Sequence, residues 1–311
     1  MDLSIIIVNY KTYDLTFNVI NSILDSTCSF SYDVYVVDNH SADGSLEKLK
    51  DAFKSEEKIK FIESDINRGF AYGNNLAIRK SEADYILLLN SDTLLEENTL
   101  EESLKYIKNH ENIGALGVQV NLADGTLDKA CKRSFPNPTN SLVRLFHIPV
   151  KNPKLNNYNL NDLDNNGIYE IDCLTGAYML IDKKALLDVG LLDETFFMYG
   201  EDIDLCYRIK KGGYKIVYYG KSKITHFKGS SSKKQKSKLI YEFYRAMYIF
   251  YRKNLSKDCF FLINILVYIG IGILLILKLF INIFKRDEFR CFTDLKVFNN
   301  ISIFTIKKFI I

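Results

Sequence analysis

The densest grouping of chemically capable side chains is FFMYGEDIDLCYR at residues 196–208, where Glu201, Asp202 and Asp204 fall within four positions beside large aromatics. Carboxylates this close repel unless a turn, a cation or a proton separates them, and such a setting tunes a carboxylate to act as a general base. A helix over 203–209 would hold the acids at its first turn, where the helix dipole favours negative charge. Asp204 stands four residues before Arg208, the spacing of a helical ion pair, so it is assigned to structure before Asp202 is.

Other polar groups fall where apolar runs stop. Asn9 follows the run 4–8, Asp38 ends the run 34–37 and opens VVDNHSADGS, Asn90-Ser91-Asp92 closes LLLNSD, and His226 ends an apolar run and leads into KGSSSKK. Asp38 is suited either to accept a hydrogen bond from a nucleotide or to cap the next helix. The Asn-Ser-Asp triplet offers one or two hard oxygen ligands, the sparse set that holds Mg²⁺ when phosphate and water complete its shell. The lack of both HExxH and a thiolate cluster argues against a zinc hydrolase. His226 is suited to a ligand or a structural role. Lys228, Lys233 and Lys234 can neutralise a diphosphate or anionic headgroups, or stand solvated in a loop. In DINRGFAYGNNLA (65–77), Gly69 and Gly73 permit close backbone approach, and the following helix can aim N–H groups at an anion.

Positioning these groups requires a regular frame. Apolar β-branched runs at 4–8, 34–37, 59–62 and 85–89 alternate with helical spacing at 15–24, 45–53, 71–80 and 98–109. The alternation predicts parallel strands covered by helices, with ligands gathering beyond the C-terminal strand ends. Residues 121–170 are polar and Asn-rich and contain Pro136, Pro138, Pro149 and Pro153, the only prolines; they predict a loop excursion, mobile over 156–166. Strands at 171–174, 177–181 and 215–219, a short helix at 183–189 and an amphipathic helix at 239–251 complete the expected elements.

With 47% hydrophobic and 25% charged residues, the chain is neither disordered nor collagen-like. Its six cysteines form no disulfide framework or CxxC pair, which points to a reducing compartment. Residues 1–220 hold 23 Lys and Arg against 33 Asp and Glu, whereas 221–311 hold 18 against 5. Within that basic part, 259–277 is nineteen residues without a charge, close to a membrane span. Basic residues before an apolar run, without a zinc-finger or RNP signature, indicate anionic membrane lipid and no nucleic acid. The expected divisions are 1–235 catalytic, 236–258 a basic amphipathic linker helix, 259–284 a transmembrane or membrane-interface segment, and 285–311 a basic, apolar tail. No signal peptide is expected at the N-terminus. The charge bias favours a catalytic part in the cytoplasm, with a single span or an interface-lying helix behind it.

Taken together, SIIIVNYKT (4–12), VVDNHSADGS, NRGFAYGNN, LLLNSD, the segment 174–216 and THFKGSS (225–231) resemble a family 2 glycosyltransferase, especially its rhamnosyltransferase-like branch. The resemblance covers roughly the first 230 residues in the right order. It implies an α/β fold of the GT-A type with a mostly parallel sheet, followed here by a hydrophobic membrane helix. It implies that Val8, Asn9, Tyr10 and Asp38 lie against the nucleotide, and that Asn67, Gly69, Gly73 and Asn74 line the donor site with Asn90 and Ser91. By the same resemblance Asp92 matches the metal-binding Asp for Mg²⁺ or Mn²⁺, His226 lies near metal and diphosphate with Lys228 beyond, Asp202 of the Glu201-Asp202 pair matches the base, and Thr175–Ala177 lines the acceptor side. Asn90 stands where the family motif has its first Asp, so a neutral amide replaces a carboxylate there and Asp92 is left as the metal carboxylate. The implied reaction is inverting transfer from a nucleotide-diphospho-sugar, rhamnose by branch, to a saccharide or lipid-linked saccharide. A nucleotidyltransferase would want a basic loop after the first strand, where residues 9–16 supply only Lys11. A non-enzymatic membrane carbohydrate-binding or scaffold protein is the alternative from another class.

Overall fold

The computed structural model describes residues 1–136, 158–228 and 236–294, with side chains described to 283. Strands β1 (Leu3–Asn9), β2 (Tyr32–Asp38), β3 (Ile59–Glu63) and β4 (Tyr85–Asn90) pair in parallel in the order β3-β2-β1-β4. Ile5 lies beside Val34 on one side and Leu87 on the other. β1 and β2 are buried almost throughout, which is why they read as continuous apolar runs rather than alternating ones. The crossovers are α1 (Tyr13–Leu24), α2 (Ser45–Ala52) and α3 (Phe70–Ile78). α1 buries Thr16, Val19, Ile20 and Ile23, the i, i+3, i+4, i+7 stripe of a helix packed on a sheet.

Beyond β4 come β5 (Thr93–Leu95), α4 (Thr99–Lys108), β6 (Ile113–Leu122), β7 (Ile168–Glu170), β8 (Tyr178–Asp182), α5 (Lys183–Val189), α6 (Glu201–Lys211) and β9 (Lys215–His226). β8 lies antiparallel between β4 and β6, and β9 runs parallel to β6, so the sheet is mixed beyond its parallel half. This insertion delivers the start of β8 to the edge where the parallel strands end: the Asn90 N–H donates to the Ala177 carbonyl at 3.2 Å. His226 reaches the same edge, paired with Leu122 and Thr93.

Several elements differ from expectation, and the short strands β5 and β7 have no counterpart in the sequence reading. β6 was not anticipated, because Gly114 and Gly117 interrupt its apolar run; a Cβ at Gly117 would lie 2.4 Å from the Leu174 side chain, so the gap is filled from outside. The strand expected at 171–174 is reduced to a bridge between Cys173 and Arg133, since β7 already occupies the antiparallel position beside β9. The strand expected to stop at 219 continues to His226 across a register jump from Val118–Tyr219 to Gln119–Lys223. Residues 137–157 lie outside the described residues, but the described end of the Asn-rich stretch is tied down: Lys132 donates to Asn165 at 2.9 Å and Tyr218 to the Asn165 carbonyl at 2.7 Å.

The chain ends in α7 (Lys236–Asn254), a short 3₁₀ turn and α8 (Phe261–Asp294). α8 runs past the expected boundary at 284, and 295–311 lie outside the described residues. Within α8, Phe261–Ile283 is long and apolar enough to cross a membrane, and none of its apolar window is buried.

Candidate active site

The edge formed by the ends of β1, β2 and β4 is organised around Asn9. Its amide donates to Asp38 at 2.7 Å and to Ser45 at 3.0 Å, while its oxygen accepts from Thr12 and Thr16, both at 3.0 Å. Asp38 uses its second oxygen to accept the Ser41 N–H at 2.9 Å. Two of the four residues expected against a nucleotide, Asn9 and Asp38, are therefore engaged with each other, with Thr12 and Thr16 and with the 39–45 loop, and both are buried. Nor does Asp38 cap α2, whose N-cap is Gly44. Val8 and Tyr10, each half-buried, are the neighbours left at the surface of this edge.

The glycine segment is built for backbone contact with the protein itself. Gly69 has φ +96°, and a Cβ there would sit 2.0 Å from the Phe197 carbonyl oxygen. The Phe70 N–H donates to that carbonyl at 2.8 Å, so the first amide of α3 is not free for an anion, contrary to the sequence expectation. Asn67 accepts from the Gly69 N–H at 3.0 Å and from the Asn39 amide at 3.1 Å. Gly73 lets α3 close on Val8, and Asn74 is buried with its oxygen unpartnered.

On the other side of β4, Ser91 contacts the Thr12 hydroxyl at 3.3 Å and Asp92 Oδ1 lies 3.1 Å from His226 Nε2. Behind the ring, the buried Nδ1 faces Asp128 Oδ2 at 3.7 Å, too long for a hydrogen bond, and that oxygen is instead ion-paired with Lys228 at 2.7 Å. Burial disfavours an imidazolium, but the Asp128 and Asp92 carboxylates outweigh it and raise the His226 proton affinity. Burial likewise works against the Asp128 carboxylate, and His226 and Lys228 overcome it, holding its pKa low. Lys228 is thus paired with Asp128 at 2.7 Å rather than standing free for a diphosphate; Lys233 and Lys234 lie outside the described residues. Among the described residues no three acidic, His or Cys side chains gather to hold a metal. Asp92 and His226 still fit a divalent ion, since one hard oxygen and one imidazole nitrogen suit an ion whose shell is completed by diphosphate and water.

The acidic cluster separates its charges by the routes the sequence demands. Asp204 is fully buried and bonded to Arg208 at 2.8 Å, Lys253 at 2.9 Å and Asn254 at 2.9 Å, a structural anchor. Asp202 is met by Arg133 at 2.7 Å, with its other oxygen on the Ile203 N–H at 2.8 Å. Glu201 is held by a proton: burial first, then the neighbouring Asp202 charge, pushes its pKa up to about 8. The Asp202 Cβ lies 3.8 Å from where a Gly176 Cβ would stand, with the Phe70 ring 3.6 Å away, so the TGA segment, the start of α3 and the acidic cluster share one wall.

Arg133 and Asp128 were missed from sequence. Both come from the polar excursion after β6, and Arg133 is 69 positions from its partner Asp202. Arg133 also donates to the Leu174 carbonyl, and its backbone bridges Cys173. Arg133 is one of 23 Lys and Arg in residues 1–220, and nothing in its local sequence singles it out.

A parallel half of Rossmann type joined to a mixed half in which β8 runs antiparallel between β4 and β6 is the GT-A architecture. The chain belongs to glycosyl transferase family 2, whose model matches residues 4–189. It is 30% identical over 219 residues to the low-salt glycan biosynthesis hexosyltransferase Agl10 of Haloferax volcanii, covering 69% of this chain and 64% of Agl10. The chain thus spans less than two thirds of that relative's length. It is 24% identical over 234 residues to the N-acetylglucosaminyl-diphospho-decaprenol L-rhamnosyltransferase of Mycobacterium tuberculosis, covering 70% of this chain and 73% of that one. The fold is similar to that of the mannosyltransferase PcManGT from Pyrobaculum calidifontis, solved with GDP-Man and Mn²⁺, with TM-score 0.57, 16% identity, and coverage of 81% of this chain and 63% of that one.

Proposed function

We propose that this protein is an inverting, metal-assisted glycosyltransferase that moves a sugar from a nucleotide-diphospho-sugar to a saccharide acceptor in cell-surface polysaccharide synthesis, working at the cytoplasmic face of a membrane. The observation that carries the reading is the Asp202 carboxylate: partly accessible, bonded to Arg133 and Ile203, and set against Gly176 on the same sheet edge as Asp92 and His226. Both Asp202 oxygens retain lone pairs, so the carboxylate can take the proton of an acceptor hydroxyl as that oxygen attacks the anomeric carbon. Attack opposite the departing diphosphate inverts the centre in one displacement. Among the described residues no second carboxylate stands ready as a nucleophile beside Asp202, since Glu201 is buried with its pKa pushed up to about 8 and Asp204 is enclosed by cations.

Asp92 and His226 would hold the Mg²⁺ or Mn²⁺, with the buried Asp128 carboxylate behind His226 adding negative charge beside the ring. When bound, that ion supplies positive charge to the diphosphate as it leaves. Val8, Tyr10, Asn90 and Ser91 line the edge where the nucleotide and sugar would lie. Rhamnose is the proposed donor sugar and a polyprenyl-diphosphate-linked saccharide the proposed acceptor, in keeping with the activity named for the mycobacterial relative. Incubating the full chain with a panel of nucleotide-sugars, Mg²⁺ or Mn²⁺ and membrane lipid extract is expected to give metal-dependent transfer with one donor. Failure of transfer and of metal-dependent donor binding across the panel would remove the proposal in favour of a non-enzymatic membrane protein.

A further inference from the structure

α8 carries its few polar side chains at telling places. Asn264 accepts from the Tyr251 hydroxyl at 2.6 Å and donates to the Ser256 carbonyl at 3.0 Å. Some 27 Å further along, at roughly 1.5 Å per residue, the Asn282 amide donates to the Ser237 hydroxyl at 2.9 Å. Between these ends Tyr268 packs its ring against Tyr248 at 5.2 Å and Tyr251 at 5.7 Å. The apolar helix therefore runs antiparallel along the whole of α7, pinned at both ends.

α7 in turn is fixed to the catalytic domain. Ala246 and Phe250 pack with Phe196, Lys253 bonds Asp193 and Asp204, and Lys238 lies 4.2 Å over the Phe197 ring. α7 also carries Glu242, Arg245 and Arg252. If α8 crossed the bilayer in this arrangement, α7 would be drawn through the hydrocarbon beside it, at a cost of several kcal/mol for each charge, with the catalytic domain attached. Yet the side of α8 away from α7 presents Ile265, Ile269, Ile273, Ile276 and Phe280 to the surroundings, all exposed.

From these contacts we infer that α8 lies in the membrane interface with its axis along the surface, the Ile265–Phe280 face sunk among the acyl chains and α7 between it and the catalytic domain. The bilayer is the fitting occupant because α7, packed along α8, carries Lys236, Lys238, Arg245, Arg252 and Lys253 against Glu242 alone, and Lys278 stands within α8 itself. The 196–202 wall of the active site then stands about one helix diameter, roughly 10 Å, from the lipid. Tyr199 meets Phe243 of α7 at 5.9 Å, so a lipid-linked acceptor would reach the site along this side. The inference rests on the membrane association in the proposed function and not on the sugar chemistry.

The chain contains no tryptophan, so an introduced one reports its own depth. Ile265→Trp, Ile273→Trp and Phe280→Trp would be made singly in the full chain and mixed with phosphatidylcholine–phosphatidylglycerol vesicles whose lipids are brominated at shallow or deep acyl positions. The expected result is a blue shift at all three positions, with each quenched most by the shallow bromines and to a similar extent. Deepest quenching of the residue 273 probe, with 265 and 280 shallow, would establish a span and overturn the inference. No quenching at any position, with or without dimers in solution, would instead overturn the membrane association on which it rests.

Discussion

At the scale of single residues, the 201–204 cluster is a problem in charge disposal solved three ways: a proton on Glu201, Arg133 on Asp202, and a cage of Arg208 and Lys253 around Asp204. The proton has a measurable consequence. A carboxyl whose folded pKa rises from 4.5 to about 8 binds more protons folded than unfolded between those values, so its contribution to stability is complete below pH 4.5 and is lost as pH climbs toward 8. Thermal melting across that window should therefore fall with pH in the native chain and fall less in Glu201→Gln; parallel profiles would mean that Glu201 is ionised in the fold. Arg133 makes a second prediction. Arg133→Ala removes the partner of a mostly buried carboxylate and should cost about 3 kcal/mol, with kcat falling more than donor affinity, while Arg133→Lys keeps part of both. Unchanged kcat in a folded Arg133→Ala protein would deny it a part in orienting Asp202.

At the scale of elements, the antiparallel insertion of β8 brings the 174–177 segment to the edge where β1, β2 and β4 end, and the Gly69–Phe197 contact joins the two halves of the site. Gly69→Ala must displace the Phe197 carbonyl and adopt a φ that L-residues resist, so it should lower stability by about 1–3 kcal/mol, as read by urea unfolding; an unchanged midpoint would mean that the contact opens freely. The parallel half and its crossover helices were legible in sequence because buried strands and amphipathic helices have distinct periods, and the 183–189 helix was found at its observed bounds. β6 was hidden because glycine carries no hydrophobic signal, although Leu174 fills the space it leaves. Strand-end placement of Asn90, Asp92 and His226 was likewise readable. That Asn9 and Asp38 bind each other, and that Lys228 pairs with Asp128, was not, since hydrogen bonds between distant strand ends leave no local pattern.

At the scale of the whole molecule, a net acidic catalytic half is joined to a basic, apolar hairpin of α7 and α8, and the wall of the acidic cluster sits against that hairpin through Phe196 and Phe197. Each exposed isoleucine taken into lipid is worth about 2 kcal/mol, so the double change Ile269→Lys, Ile273→Lys should reduce vesicle binding by more than tenfold while leaving donor binding intact; undiminished sedimentation with vesicles would assign attachment to another surface. The account as a whole turns on Asp202 as the base of a sugar transfer. Side-by-side measurement of turnover and donor affinity for the native chain and Asp202→Asn, with the donor identified by the panel, tests this most directly: the account predicts loss of at least a hundredfold in kcat with donor affinity little changed, and near-native turnover in the variant would contradict it.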